Sequence, residues 1–219
     1  MSGASRIFNN AAGQQGGVIF CGDEVTNLTF TGATGITGNR ARDGGVLASN
    51  GVVSGMRVEG ASDVSTNSAS ERAGAVFAGE LQLTLTGGSS MRGHTANWGG
   101  SIYVQSALRS LVISGASTLS GSKAGEFGGA IYIFGGGASS TNTSINSTSG
   151  NGTAAGGERF GGASNVLIAE GSNVTDVAAG GSGGEHFLQV GGTSPGDACW
   201  GRCLGPVRGA VRSMRGIYL

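Results

Sequence analysis

Apolar side chains recur along this chain in a short alternating pattern. In Leu83-Thr84-Leu85-Thr86, apolar and polar residues alternate one by one. Such alternation is typical of a strand with one buried face, because successive side chains of a strand point to opposite sides. No window of about 11 residues has a convincing helical stripe. The pattern therefore predicts short strands separated by glycine-rich turns.

The alternating pairs belong to a unit that repeats about every 28 residues. Each copy has an apolar pair followed by glycine, then an apolar-x-x-polar-x-Ala element, then Gly-Gly. The last copy of the apolar pair is faint and is assigned to Leu167 and Ala169. The second glycines are Gly17, Gly45, Gly74, Gly100 and Gly129, with weaker copies at Gly162 and Gly184. A period in this range indicates a repeat architecture, in which each unit buries its apolar side only against its neighbours.

The length of the repeat selects one fold among the β-repeat architectures. About 28 residues hold two or three short strands and their corners, whereas a propeller blade needs roughly 40 or more. The leucine and asparagine spacing of leucine-rich repeats is absent. The sequence therefore predicts an all-β fold, a single-stranded parallel β-helix (solenoid) of about six to seven coils. Right-handed winding follows from the general chirality preference of parallel crossovers.

Equivalent residues of successive coils are expected to stack in columns. An apolar inward column contains Ile19, Leu47, Val76, Ile102 and Ile131, and a column of small residues contains Ala12, Ala41, Ala69, Ala96 and Ala124. A polar column contains Asn10, Asn39, Asn67, His94 and Ser122. Buried polar groups need hydrogen-bond partners, so this column is predicted to be a structural ladder. We therefore interpret His94 as a substituted ladder member rather than as a ligand or a catalytic base.

The repeated glycines are predicted to be structural. The glycines of the repeat are expected to supply positive φ at the corners and to leave room where two backbones approach closely. The structural glycines named from the pattern are the second ones of each pair, Gly17, Gly45, Gly74, Gly100 and Gly129.

Composition changes this picture little. The 219 residues include 46 glycines and two prolines, 12% of them are charged, and the formal net charge is zero. This balance favours neither nucleic acid nor an acidic membrane surface as a partner. No apolar stretch is long enough to span a membrane as a helix, and the first residues do not resemble a signal peptide.

The repeats suggest two regions. Residues 1–194 are expected to form the β-helix domain, with a polar loop insertion at about 135–157. Residues 195–219 break the pattern and form a basic tail that contains Cys199 and Cys203. Because no N-terminal cap is visible, the chain is expected to be a fragment or the product of a truncated gene model.

The residues just before the glycine pairs are the best candidates for a binding surface. One column there contains Asp43, Arg72, Trp98, Phe127 and Phe160. Trp98, Phe127 and Phe160 would form an exposed aromatic stripe suited to sugar rings or to a partner protein. Alternatively, these side chains fold back and cover a corner of the core. In the preceding column, Arg42 over Glu71 and Glu126 over Arg159 are expected to be complementary neighbours.

Candidate enzymatic chemistry is weak. Glycoside hydrolysis needs two acids across one groove, and a calcium-assisted lyase needs clustered aspartates. The aspartates Asp23, Asp43, Asp63 and Asp176 lie in different repeats or at different positions of the coil. No catalytic residue, metal or cofactor is therefore predicted. Ice binding by a threonine array is also disfavoured, because Arg57 and Glu59 interrupt the column that begins at Thr29 and Thr31.

The repeat resembles that of the chlamydial polymorphic outer membrane proteins. Gly128-Gly129-Ala130-Ile131 matches their Gly-Gly-Ala-Ile element, and Ile7-x-x-Asn10 and Ile36-x-x-Asn39 are aliphatic versions of their Phe-x-x-Asn element. The resemblance implies a right-handed β-helix displayed on a cell surface, often in adhesion, and exported as an autotransporter passenger. No signal peptide and no C-terminal membrane-barrel domain are expected from this sequence, which would be a departure from that family.

Pattern and resemblance together lead to one expected function and one alternative. The expected function is that of a non-enzymatic cell-surface or secreted β-helix segment, acting in adhesion or as a structural stalk. Its expected partners are glycans or host or neighbouring surface proteins, and its expected location is extracellular or on the outer cell surface. The alternative is a polysaccharide-modifying enzyme, of the lyase, hydrolase or epimerase type, whose site is incomplete in this chain.

Overall fold

The structure, a computed structural model, describes residues 3–134, 144–147, 165–168, 172–175, 178–179, 187–190 and 198–199. These residues form strands and turns and contain no helix. The strands are β1 (Arg6–Phe8), β2 (Ile19–Cys21), β3 (Val25–Thr26), β4 (Thr29–Phe30), β5 (Gly35–Thr37), β6 (Arg40–Asp43), β7 (Leu47–Glu59), β8 (Asp63–Ser65), β9 (Ser68–Arg72), β10 (Val76–Thr86), β11 (Ser90–Arg92), β12 (Thr95–Trp98), β13 (Ile102–Ile113), β14 (Thr118–Ser120), β15 (Lys123–Phe127), β16 (Ile131–Ile133), β17 (Ser144–Ser147), β18 (Asn165–Ile168), β19 (Asn173–Thr175), β20 (Ala178–Ala179), β21 (Phe187–Val190) and β22 (Ala198–Cys199).

The strands form three stacks of parallel strands. The first sheet has the order β1-β5-β8-β11-β14-β19, and the second has the order β20-β15-β12-β9-β6. The third and longest sheet runs β2-β7-β10-β13-β16 and takes in β3 and β4 beside β7. In the regular part of the stack, strands pair in parallel with their counterparts in the next coil, so the chain is an all-β solenoid with coils of about 28 residues and about five turns. The predicted fold class is confirmed, and its handedness stays a prediction.

The inward column lies in the predicted register. The pairs Ile19↔Leu47, Leu47↔Val76, Val76↔Ile102 and Ile102↔Ile131 follow one another through the longest sheet. Leu47, Val76 and Ile102 have no exposed surface. Each coil therefore covers the apolar side chains of the next, which is the source of cooperativity in a stacked repeat.

The later strands β18, β19 and β20 extend all three stacks and correct one assignment. Val174 pairs with Leu119 and thereby continues the column that begins at Ile7. In β18, Val166 and Ile168 pair with Leu111 and Ile113, so the prediction that Leu167 and Ala169 continue this pair was wrong by one residue. A slip of one residue exchanges the two faces of a strand, and two apolar residues in succession, Val166 and Leu167, make the face ambiguous in the sequence.

Two pairings in the longest sheet are antiparallel. The neighbour of β16, β21, runs antiparallel to it, and β22 is antiparallel to β21. The segment 135–157, expected to be a polar loop, includes β17, which pairs with β18. The rest of that segment, the weaker glycine pairs near Gly162 and Gly184, and the tail beyond Cys199 lie outside the described residues.

The two glycines of each pair have different roles. The first, such as Gly99 with a φ of 64°, has a left-handed conformation, which Ala73 also adopts at the equivalent place with a φ of 57°. The second, such as Gly100, lies directly against the backbone of the next coil, where a Cβ atom would collide with the carbonyl oxygen of Gly129. The first position accepts alanine in the coil of Ala73, whereas at the second position a side chain would collide with the neighbouring coil.

The asparagine column forms a hydrogen-bonded ladder. Asn10 Nδ2 donates to Asn39 Oδ1 at 2.8 Å, and Asn39 Nδ2 donates to Asn67 Oδ1 at 2.9 Å. The backbone N–H of Asn67 donates to His94 Nδ1 at 3.3 Å, so the imidazole takes the place of the next amide oxygen. Ser122 lies one coil further on, and its hydroxyl bonds instead with that of Ser101 at 2.5 Å.

His94 makes this ladder sensitive to acid. Its imidazole is completely buried, and Nε2 has no hydrogen-bond partner among the described residues. Burial lowers the pKa of His94 to about 4, although the backbone of Asn67 and Val64 partly opposes the shift. The unfolded chain, with an ordinary histidine pKa of about 6.5, therefore binds the proton more readily than the folded chain does.

We expect the free energy of unfolding to fall as the pH is lowered from about 6.5 to about 4. His94→Asn should abolish this dependence and stabilise the protein at pH 7 by about 1 kcal/mol, because an amide at this position can complete the ladder. Urea unfolding at several pH values, followed by circular dichroism, measures both effects. As a converse control, Asn39→His should acquire the acid sensitivity. An unchanged slope in His94→Asn would contradict the assignment.

A second buried polar column escaped the sequence analysis. Thr34, Ser62, Ser89 and Ser117 occupy equivalent places at one corner and are all buried. Thr34 Oγ1 donates to the carbonyl oxygen of Thr31 at 2.9 Å, and Ser62 Oγ donates to that of Glu59 at 2.8 Å. These two hydroxyls therefore close their turns from within, whereas Ser89 Oγ donates to Ser117 Oγ of the next coil at 3.3 Å. Serine is so frequent in this chain that the column does not stand out in the sequence.

Candidate functional site

The residues before the glycine pairs line one edge of the solenoid. In the second sheet, Asp43 is paired with Arg72, Arg72 with Trp98, and Trp98 with Phe127. This is the column in which the aromatic stripe was predicted. Phe160, its third aromatic member in that prediction, lies outside the described residues.

A second layer of aromatic residues lies beneath this edge. Phe77, Tyr103 and Tyr132 follow the glycine pairs in successive coils and are in register in the longest sheet. Each alternates with an inward residue of the core column, so the three rings point away from the main core. They are nevertheless buried and form a small apolar cluster of their own, against which Trp98 and Phe127 pack.

Three successive coils each place one flat group over one ring. The guanidinium carbon of Arg72 lies 4.5 Å from the centre of the Phe77 ring. In the next coil the rings of Trp98 and Tyr103 are stacked with centroids 6.4 Å apart and planes 28° apart. In the coil after that, Phe127 and Tyr132 are stacked at 5.9 Å and 24°. We call these six residues the corner cluster: Arg72, Phe77, Trp98, Tyr103, Phe127 and Tyr132.

The corner cluster has features of both interpretations of the sequence, an exposed aromatic stripe and a cover over a corner of the core. Trp98 and Phe127 cover Tyr103 and Tyr132, as expected if they close a corner. Both outer side chains are still only half-buried, so part of each ring faces solvent. Beyond them, Phe134 stacks on Tyr103 with centroids 6.5 Å apart and is 54% exposed.

A β-bulge positions Glu126 against the indole. Between the pairs Ala96↔Ala124 and Trp98↔Phe127, β15 has one more residue than β12. Asn97 Oδ1 fills the space beside Gly125, 2.8 Å from where a Cβ atom would be. Trp98 Nε1 donates to Glu126 Oε2 at 2.7 Å. Bulges commonly redirect a side chain in this way, and here the result is that the indole is held by a stacked ring and by a hydrogen bond.

A buried ion pair occupies the same edge one coil earlier. Arg72 Nε and Nη2 donate to the two oxygens of Asp43 at 2.7 and 2.8 Å, and Asp43 is only 2% exposed. Hydrogen bonding to Asp43 raises the pKa of Arg72, although burial partly opposes this, and burial raises the pKa of Tyr103. The sequence placed these two residues over one another but contained no signal that the pair is buried.

Other charged side chains also connect neighbouring coils. Arg42 Nε lies 2.9 Å from Glu71 Oε1, as the sequence predicted. Arg92 Nε lies 2.9 Å from Asp63 Oδ1, and hydrogen bonds from Arg92, Ser90 and Ser65 lower the pKa of Asp63 although burial opposes them. Arg109 is paired with Glu80. The predicted contact of Glu126 with Arg159 lies outside the described residues.

The described residues contain little that resembles a catalytic or metal site. Asp23, Asp43 and Asp63 lie at different positions of the coil, and Asp176 lies outside the described residues. Within the described ranges, no three His, Cys, Asp or Glu side chains are placed to hold a metal ion. These ranges also contain no helix capable of crossing a membrane.

Charged residues interrupt the threonine column, as the sequence predicted. Thr29 and Thr84 both pair with Arg57, and Thr86 pairs with Glu59. Charged side chains thus separate the threonines of neighbouring coils.

Comparison with models of known protein families, with curated proteins and with solved structures finds no match to this chain. The function is therefore inferred from the geometry of the solenoid and of its corner cluster.

Proposed function

We propose that this chain is a non-enzymatic segment of a cell-surface or secreted protein, and that it acts in adhesion or as a structural stalk. The observation that carries the proposal is that charged side chains form ion pairs between neighbouring coils. Four ion pairs each connect one coil to the next: Asp43–Arg72, Arg42–Glu71, Asp63–Arg92 and Glu80–Arg109.

Ion pairs between neighbouring coils support a mechanical role. Together with the asparagine ladder and the apolar columns, they connect successive coils on more than one side. A rod connected along its length holds a surface at a fixed distance and transmits force from coil to coil. The carboxylates of these pairs are held by arginine, whereas acid catalysis of sugar chemistry needs a protonatable carboxyl facing a groove.

The repeat resemblance described above supports the same function. Repeats that resemble those of the chlamydial polymorphic outer membrane proteins imply display on a cell surface, and we propose an extracellular location on that basis. The family resemblance itself also stays a proposal.

Adhesion is tested with the full chain immobilised on beads. We expect the beads to bind a panel of eukaryotic and bacterial cells more strongly than beads that carry an unrelated β-solenoid of similar length. In parallel, the soluble chain is incubated with polysaccharides and the release of reducing ends or unsaturated products is measured. Turnover by the chain alone would overturn the proposal in favour of a polysaccharide-modifying enzyme. If the beads bind none of the cells, the adhesive function is excluded and the proposal is reduced to a structural stalk.

A further inference from the structure

The outer rings of the corner cluster have the features of a carbohydrate-binding surface. We propose that Trp98 and Phe127 form a binding ledge for a neutral oligosaccharide, whose successive sugar rings lie along the solenoid axis. This inference rests on the proposed adhesive function and names its ligand class.

The first argument is the rigidity of the rings. Trp98 is held by Tyr103 on one side and by Glu126 at its N–H, and Phe127 is held by Tyr132. An aromatic side chain that is already fixed loses little conformational entropy on binding. The buried tyrosines thus explain why two half-exposed rings are well placed to receive a flat ligand.

The second argument is spacing. Trp98 and Phe127 are paired residues of adjacent parallel strands, which lie about 4.8 Å apart. One sugar unit in an extended oligosaccharide has a similar length. Two neighbouring units can therefore each contact one ring, with their C–H faces on the aromatic surface.

The third argument is the polar rim. Glu126 and Asn97 are exposed beside the rings, and a carboxylate has about four acceptor sites, of which Trp98 uses one. Acceptors and amide groups next to an aromatic surface match the hydroxyl groups of a sugar better than they match an apolar peptide.

Charge decides between neutral and anionic sugars. The nearest charged residues of β15 are Lys123 and Glu126, which have opposite signs, and Arg72 of the neighbouring coil is neutralised by Asp43. The ledge therefore has no excess of positive charge to attract sulfated or carboxylated glycans.

Fluorescence of Trp98 tests the proposal. The chain has two tryptophans, so Trp200→Phe leaves Trp98 as the only indole. This variant is titrated with cellohexaose, xylohexaose, mannohexaose and chitohexaose. We expect at least one of them to change the emission saturably and to protect the indole from acrylamide quenching, with an affinity that calorimetry on the unmodified chain reproduces.

Variants then locate the site. Trp98→Ala and Phe127→Ala should each weaken binding roughly tenfold or more, and Trp98→Phe should retain part of the affinity. Phe8→Ala is the matched control, because Phe8 is an aromatic residue of another sheet that is 61% exposed, and it should bind normally. Circular dichroism and thermal unfolding show that each variant is folded.

Each outcome has a defined meaning. No saturable change with any of the four sugars, or equal affinity in folded Trp98→Ala, overturns the ledge. Binding of a sulfated hexasaccharide alone also overturns it. If the beads described above adhere to cells while neutral sugars neither bind nor compete, adhesion stands and the ledge fails. If a neutral sugar binds at Trp98 and is cleaved, the ledge stands and the non-enzymatic function fails.

Discussion

Gly100→Ala is expected to destabilise the solenoid by more than about 3 kcal/mol. A Cβ atom at this position would collide with the carbonyl oxygen of Gly129 and lie 2.8 Å from the backbone nitrogen and carbonyl carbon of Lys123. These are backbone atoms of the next coil, so the two coils would have to separate. Because neighbouring coils are in register on all three sheets, separation at one corner weakens every column that crosses it. Guanidinium unfolding followed by far-ultraviolet circular dichroism measures the loss.

The matched control is the preceding residue. In Gly99→Ala the new Cβ atom would contact the carbonyl oxygen of Ile102, which belongs to the same coil, so a local adjustment can relieve the contact. The left-handed conformation itself costs about 1–2 kcal/mol, and Ala73 adopts it at the equivalent place of the preceding coil. The two variants add the same methyl group to adjacent residues, so composition cannot explain a difference between them. Equal destabilisation would mean that backbone conformation, rather than contact between coils, determines the need for glycine.

Arg72→Ala is expected to destabilise the protein by about 3–5 kcal/mol. The substitution leaves the Asp43 carboxylate buried without its two hydrogen bonds and removes the guanidinium that covers Phe77. A buried charge without a partner is more costly than the loss of the attraction itself. Urea unfolding at pH 7 gives the magnitude, and the near-ultraviolet dichroism of Tyr103 and its neighbours reports whether the corner cluster stays packed.

Two further variants separate charge from packing. Asp43→Asn combined with Arg72→Ala should recover part of the lost stability, since no unpaired charge then remains. Arg42→Ala removes an arginine from an exposed pair in β6 and should have little effect. If the double variant is as unstable as Arg72→Ala, the contribution of Arg72 is its contact with Phe77 rather than its charge.

The candidate site was only half predictable. The spacing of the repeat placed Trp98 next to Phe127 and Arg42 next to Glu71, because residues at the same coil position must be neighbours in a stack. The inner layer was not predicted, since Tyr103 follows the inward residue Ile102 and alternation alone assigns it to solvent. The tyrosine is buried because Trp98 lies across the corner from it and because Phe77 and Tyr132 flank it in the adjacent coils.

Glu126 illustrates a second limit. Its hydrogen bond to Trp98 depends on the extra residue of β15, and a one-residue difference between repeats looks in the sequence like ordinary variation in spacing. After a bulge, the backbone groups that can still pair decide which side chains of the two strands face each other.

The sequence by itself determined the period of this protein, its strands and the columns that neighbouring coils form, because the same pattern of residues recurs in each copy of the repeat. Only the tertiary structure decided what happens at the corner between two sheets. There, side chains such as Arg72 and Trp98 pack on the rings of Phe77 and Tyr103 instead of extending into solvent. This packing depends on distances across the corner, which the spacing of residues along the chain does not reveal.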